Sequence, residues 1–168
     1  MPHSFDLSAD YPGAVEQVHS AFADSAYWQA RLAASGVDSA SLDSMTVGSD
    51  GNVTVVTTQR VRTDRLPGMV RQFHRGDLEI VRREKWAPVS GGVARGDVTG
   101  EVRRAPVSLF GEAELAPTDA GSRLRFTVAV DVEIPLVGRK LEDFIGSHLN
   151  ALIAAEQRFT TEWIAEHH

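Results

Sequence analysis

Two polar side chains stand where a helix would be expected to carry apolar ones. From Leu141 to Trp163 large apolar residues recur at helical spacing as Leu141, Phe144, Ile145, Leu149, Leu152, Phe159 and Trp163, and His148 and Glu156 fall inside that stripe. A helix turns about 100° per residue, so both polar side chains point where the leucines point. A packed core excludes an unpaired imidazole or carboxylate, and a cavity accommodates them. The spacing points to a helix lining a pocket, with Ile145, His148, Leu149, Leu152 and Glu156 as lining candidates.

Each polar residue has its own chemistry. An imidazole is the side chain whose ordinary titration lies nearest neutrality, so His148 is the acid–base candidate if the protein is an enzyme, with Asp97 and Glu101 as partners. Glu156 lies about 12 Å further along the helix axis, out of direct reach. It can pair with one of the arginines expected on strands, namely Arg60, Arg62, Arg82, Arg95 and Arg103, and that structural ion pair is its expected role. The alternative is a polar anchor that orients a mostly apolar ligand. Trp86, at the end of a strand, is a further pocket candidate, whereas Trp163 is expected to pack on the N-terminal elements. No Ser-His-Asp order or nucleophile elbow is present, and no catalytic residue is assigned. His19, His74 and His148 lack the spacing of metal ligands, so neither a metal nor a cofactor is expected. Gly91-Gly92 and Gly96-x-x-x-Gly100 do not open a helix. They read as a turn and as points of sheet curvature, and not as phosphate loops.

The elements that must position these residues follow from periodicity. His3 to Ser8 alternates as a first strand. Pro12 suits the first turn of a helix capped by Asp10 or Tyr11, and a second short helix capped by Asp24 or Ser25 carries Trp28 and Leu32 up to Gly36. Six strands are expected next, over 42–47, 53–62, 78–86, 93–103, 107–115 and 124–132, joined mostly by tight turns that make antiparallel neighbours. The connection from Thr63 to Asp77 is too long for a hairpin. Leu66, Met69, Val70 and Phe73 give it an amphipathic pattern, so it is either a lid or a packed surface helix. A curved antiparallel sheet with the long helix across one face is the simplest way to bury the stripe.

Composition bounds the partners. The 168 residues suit a single domain over 1–168, and 42% apolar with 24% charged residues is ordinary for a globular chain. A formal net charge of −6 argues against nucleic acid and anionic membrane as main partners. The absence of cysteine rules out disulfides and thiolate chemistry, and no integral membrane segment or signal peptide is visible, so the expected location is cytoplasmic.

This order of elements, with Ile134-Pro135-Leu136-Val137-Gly138-Arg139-Lys140-Leu141-Glu142 leading into the helix, resembles the SRPBCC superfamily of START-like, helix-grip domains. More narrowly the chain looks like an actinobacterial family of uncharacterised proteins within it. That match is carried by Glu84-Lys85-Trp86, by Gly111 with Leu115-Ala116-Pro117 before Gly121, by Pro135-Leu136-Val137-Gly138, and by Glu156 through Trp163. The resemblance implies an α+β helix-grip fold: a curved seven-stranded antiparallel sheet, two short helices after the first strand, and a long C-terminal helix across the concave face. It also implies binding of a small hydrophobic molecule, such as a lipid or polyketide-like compound, between helix and sheet. Two alternatives stay open: a cofactor-free cyclase or dehydratase using His148, and a protein-interaction module with a residual cavity. The oligomeric state is not readable from the sequence.

Overall fold

Residues that alternate in the sequence alternate across the sheet. A computed structural model describes residues 2–72 and 75–167. Strand β1 (His3–Tyr11) is followed by α1 (Val15–Phe22) and α2 (Ser25–Ala33), then by β2 (Ser39–Val47), β3 (Val53–Val61), β4 (Leu78–Trp86), β5 (Ala94–Val102), β6 (Val107–Thr118) and β7 (Gly121–Val132). Between β3 and β4 the chain makes a 3-10 turn (Thr63–Arg65) and the single-turn helix α3 (Gly68–Arg71). The last element is α4 (Gly138–His167). All strand pairs are antiparallel in the order β1-β7-β6-β5-β4-β3-β2, so the two outer strands are β1 and β2. Closing the hairpin register of β2 on β3 requires a bulge at Leu42/Ser44, where Asp43 accepts hydrogen bonds from the hydroxyls of Ser41 and Thr58.

One face of this sheet is apolar and packed. β7 buries Leu124, Phe126, Val128, Val130 and Val132 at every second position, and β6 and β5 add Leu115, Ala113, Val98 and Ala94. Glycines let the sheet bend under the large rings. A Cβ at Gly96 would lie 2.7 Å from Trp86 Cδ2, and one at Gly111 would collide with the Phe126 ring. The expected curvature at Gly96 therefore has a second cause, which is close approach of an aromatic ring. The helix answers in kind: the Phe5 ring fills the space that a Cβ at Gly146 would occupy.

The helix starts differ from expectation at one end only. Asp24 caps α2 through its side chain, accepting from the Ala26 N–H at 2.9 Å. Helix α1 is not capped by Asp10 or Tyr11. Both belong to β1, which runs on to Tyr11, and the cap position is Ala14, whose N–H donates to Gln17 Oε1. Pro12 lies before the helix rather than in its first turn. Helix α4 begins at Gly138 and runs to His167, three residues earlier than the apolar stripe and four later.

Candidate functional site

The space between α4 and the sheet opens into a cavity of about 300 Å³ toward the start of the helix. Its strand wall comes from Leu78 and Ile80 of β4, Val98 and Val102 of β5, Leu109 of β6 and Val130 of β7; its helix wall comes from Leu141, Phe144, Ile145, Leu149, Leu152 and Ile153. Three connections frame its mouth: α3 through Val70, the β5–β6 turn through Ala105 and Pro106, and the β7–α4 connection through Ile134. A wall of this kind, apolar nearly throughout, removes apolar ligand surface from water at about 25 cal/mol per Å².

Beyond the cavity lies a buried polar network. The inward positions of β4 read Leu78, Ile80, Arg82, Glu84, Trp86, so the strand passes from cavity wall to ion pairs to core within one face. Arg82 and Glu156 form a two-pronged contact, Nη1 to Oε2 at 2.7 Å and Nη2 to Oε1 at 3.2 Å. Arg31 of α2 approaches Glu156 Oε2 at 2.5 Å, and Glu84 Oε2 stands 2.9 Å from Arg82 Nε without an aligned hydrogen bond. Glu84 Oε1 accepts from the Trp86 indole N–H at 3.2 Å. Arg31 also donates to the Tyr27 hydroxyl, which lies 2.6 Å from Thr160 Oγ1, and Thr160 in turn donates to the Glu156 carbonyl. With Thr160 spending its proton on that carbonyl, Tyr27 must be the donor to Thr160.

Two arginines balance two glutamates here. Burial pushes the Glu156 carboxyl up, but the Arg31 and Arg82 guanidiniums outweigh it and hold the group at about 2, against an ordinary 4.5. Burial raises both the Tyr11 and Tyr27 hydroxyls above their ordinary value, so neither is an acid–base group near neutrality. Arg82, Val98, Phe126 and Ile153 line the large cavity and also a second void of about 30 Å³, which the network and Trp86 enclose.

The sequence candidates divide accordingly. Ile145, Leu149 and Leu152 line the large cavity, Leu152 at its rim with 39% of its surface exposed. Glu156 takes the expected ion pair with a strand arginine, Arg82, and gains Arg31 as well. Trp86 is a correction. It is buried at 2% exposure beside Phe22, at the strand end away from the mouth, and borders the small void only. His148 is a second correction. Its ring is exposed, lies against Phe144 at 4.2 Å, and bonds the Phe144 carbonyl through Nδ1. The buried face of α4 is centred on Glu142, Gly146, Ile153 and Thr160, roughly 100° around the axis from the centre of the stripe of large apolar residues. Because a glycine, a threonine and a glutamate hold that face, the apolar stripe misplaces it. His148 is therefore not among the residues that line the cavity.

In the β3–β4 connection Val70 borders the cavity and Leu66 is buried at 7% exposure outside its lining; the side chains of Met69 and Phe73 lie outside the described residues. Trp163 packs against Tyr27 as expected, at 5.8 Å between ring centres. An open groove of about 330 Å³ beside it, between α1 and the end of α4, is lined by Glu16, Gln17, Asp24 and His167 and offers little apolar surface. Sequence reading missed Arg31 and Glu84. The alternation of β4 places Glu84 inward together with Arg82, a signal that was available; Arg31 gives none, because its partners come from β4 and α4. Among the described residues no group of His, Asp and Glu has the arrangement of a metal site, and no helix is long and apolar enough to cross a membrane.

Comparison with solved structures places this architecture. The chain is similar to a protein from Thermus thermophilus, TTHA0849 (TM-score 0.63, 13% identity, 98% of each chain). It is similar also to Ara h 8.0201 (TM-score 0.59, 10% identity, 99% of each chain). A START superfamily protein from Mycobacterium smegmatis matches with a TM-score of 0.58 and 13% identity, over 96% of this chain and 99% of that one. At these identities the likeness is one of fold, and the helix-grip architecture is shared. In sequence, the uncharacterized proteins Rv0481c of Mycobacterium tuberculosis and Mb0491c of Mycobacterium bovis are each 51% identical over 170 residues, 98% of both chains. The family described as "Protein of unknown function (DUF2505)" matches residues 6–164. A helix-grip sheet and helix, near-complete coverage and half-identical mycobacterial relatives lead to one conclusion: the chain belongs to the DUF2505 family.

Proposed function

We propose that this protein binds a small hydrophobic molecule, of lipid or polyketide-like character, in the cavity between α4 and the sheet, as a cytoplasmic carrier or sensor. The observation that carries the reading is the cavity wall: side chains from five strands and α4 converge on about 300 Å³ and are apolar nearly throughout. A packed interior leaves few voids larger than a water molecule, and an apolar void of this size forfeits dispersion contacts that a ligand restores. Two charged side chains border the cavity: Glu101 is exposed at its mouth end, and Arg82, at the inner end, is already held by Glu84 and Glu156, which favours a ligand of no net charge there.

The test is native mass spectrometry of the protein purified without detergent, alongside titration with the neutral fluorophore N-phenyl-1-naphthylamine. A reproducible bound mass, or saturable fluorophore uptake, is expected. Leu149→Trp places an indole in the cavity and is expected to abolish uptake while leaving the melting temperature within a few degrees. An empty protein that takes up no probe, or a Leu149→Trp protein that binds as before, would overturn the reading.

A further inference from the structure

The two connections beside the cavity mouth carry an anomaly. Among the described residues, the non-glycine residues with positive φ are Arg104 (φ 60°), in the β5–β6 turn, and Leu136 (φ 72°), in the β7–α4 connection. Left-handed backbone is unfavourable for side chains with a Cβ, and such strain persists where the surroundings impose it. The two connections are neighbours, joined by the hydrogen bond from the Glu133 N–H to the Pro106 carbonyl at 3.0 Å. Leu136 is fully exposed, at 105% of its reference surface, and Pro135 beside it is exposed too. A bare leucine held in strained backbone at the rim of an apolar cavity has no role in this chain's own packing.

Charge separates the two ends of the molecule. Residues 34–38, 62–77, 103–106 and 133–141, the connections at the mouth end together with the first turn of α4, contain eight Lys and Arg against four Asp and Glu. The connections at the far end, 12–14, 48–52, 87–93 and 119–120, contain no Lys or Arg and two Asp. Asp38 engages Arg62 and Arg65, and Glu79 stands 3.9 Å from Arg103, so the outward charge rests on Arg71, Arg104 and Lys140, all exposed, with Arg139 exposed too but shared with Asp143 at 3.6 Å. The connections at the mouth thus carry an excess of positive charge although the whole chain stands at −6, and the whole-chain value that argued against an anionic membrane does not describe them.

We propose that the mouth rim docks on the surface of an anionic lipid bilayer, with Leu136 entering the headgroup layer and the Arg104, Arg139 and Lys140 side chains lying on lipid phosphates. An apolar prong ringed by cations is the arrangement that such an interface recognises. Docking would place the cavity opening on the membrane, so the bilayer is the source or destination of the ligand. In that respect the proposal deepens the ligand-binding reading and rests on it.

Vesicle co-sedimentation of the full chain tests it, with phosphatidylcholine alone and with added phosphatidylglycerol. Binding is expected only to the anionic vesicles and is expected to weaken as salt rises. Leu136→Gly should reduce partitioning about tenfold and Arg104→Gly about fivefold, from the apolar area and the charge removed. Glycine suits both backbone conformations, so both variants are expected to keep the native fold, which an unchanged melting temperature checks. Equal binding to neutral vesicles, or a Leu136→Gly protein that partitions like the native chain, would overturn the proposal. So would a dimer mass in solution that Leu136→Gly abolishes, since the leucine would then face a second copy. Uptake of N-phenyl-1-naphthylamine without vesicles reports the cavity alone. Vesicle binding without probe uptake would refute the ligand reading and leave docking standing; the reverse would refute docking alone.

Discussion

Replacing Glu156 by glutamine tests the buried network at its centre. The substitution keeps shape and volume and removes one negative charge that two guanidiniums share, Arg82 at 2.7 Å and Arg31 at 2.5 Å. Its contribution can be worked from the titration. The folded carboxyl sits at about 2 against an ordinary 4.5, and each unit of difference is worth 1.36 kcal/mol, giving about 3 kcal/mol at neutral pH. Removing one partner of a buried ion pair costs about 3–5 kcal/mol in other proteins, which agrees. The sign follows from the direction of the shift. A carboxyl depressed by folding contributes fully above 4.5 and loses that contribution as pH falls toward 2. Chemical denaturation of both proteins between pH 7 and pH 2.5 should therefore show a gap of about 3 kcal/mol at pH 7 that holds to about pH 5 and then narrows. At pH 7 the melting temperature should fall by roughly 10 °C. Carboxylates remote from the network contribute equally to both proteins and cancel in the difference. A Glu156→Gln protein as stable as the native one at pH 7, or a gap that does not change with pH, would refute the assignment of this carboxylate as the ionised hub of the network.

Two further substitutions probe the packing around it. Gly96→Ala puts a methyl group 2.7 Å from the Trp86 ring and should cost about 1–3 kcal/mol by thermal denaturation, with a change in tryptophan emission as the indole shifts. Thr160→Val leaves the Tyr27 hydroxyl with no acceptor and should cost about 1–3 kcal/mol by thermal denaturation.

The architecture was legible because sheet and helix announce themselves by period. Alternation located all seven strands, and errors fell at their ends, as where β1 absorbs Asp10 and Tyr11 because they continue the register against Arg123 and Ser122 of β7. The site was legible only in part. Ile145, Leu149 and Leu152 were found because large apolar residues mark a buried face wherever they line space. His148 was misplaced because the same rule fails on a face made of small and paired polar groups: Gly146 is inward because Phe5 needs the room, and Glu142 because its carboxylate accepts the Val132 N–H at 2.9 Å. Trp86 was misplaced because a strand end can point to either end of the cavity, and only the tertiary arrangement decides which one is the mouth. Arg31 was invisible, since the carboxylates it meets are 53 and 125 residues away in the chain.

The bulge at Asp43 matters to how copies of this chain meet. An open sheet leaves its outermost strand with unsatisfied amides along one side, a ready template for another molecule's strand. Strand β2 occupies that position. It carries serines, a threonine and a carboxylate, it is largely exposed, and its pairing slips by one residue between Leu42 and Ser44. A strand approaching in regular register would meet a kinked backbone and a buttressed negative charge. At high concentration another molecule's strand should thus not add at the β2 edge, and association between copies would have to use some other surface.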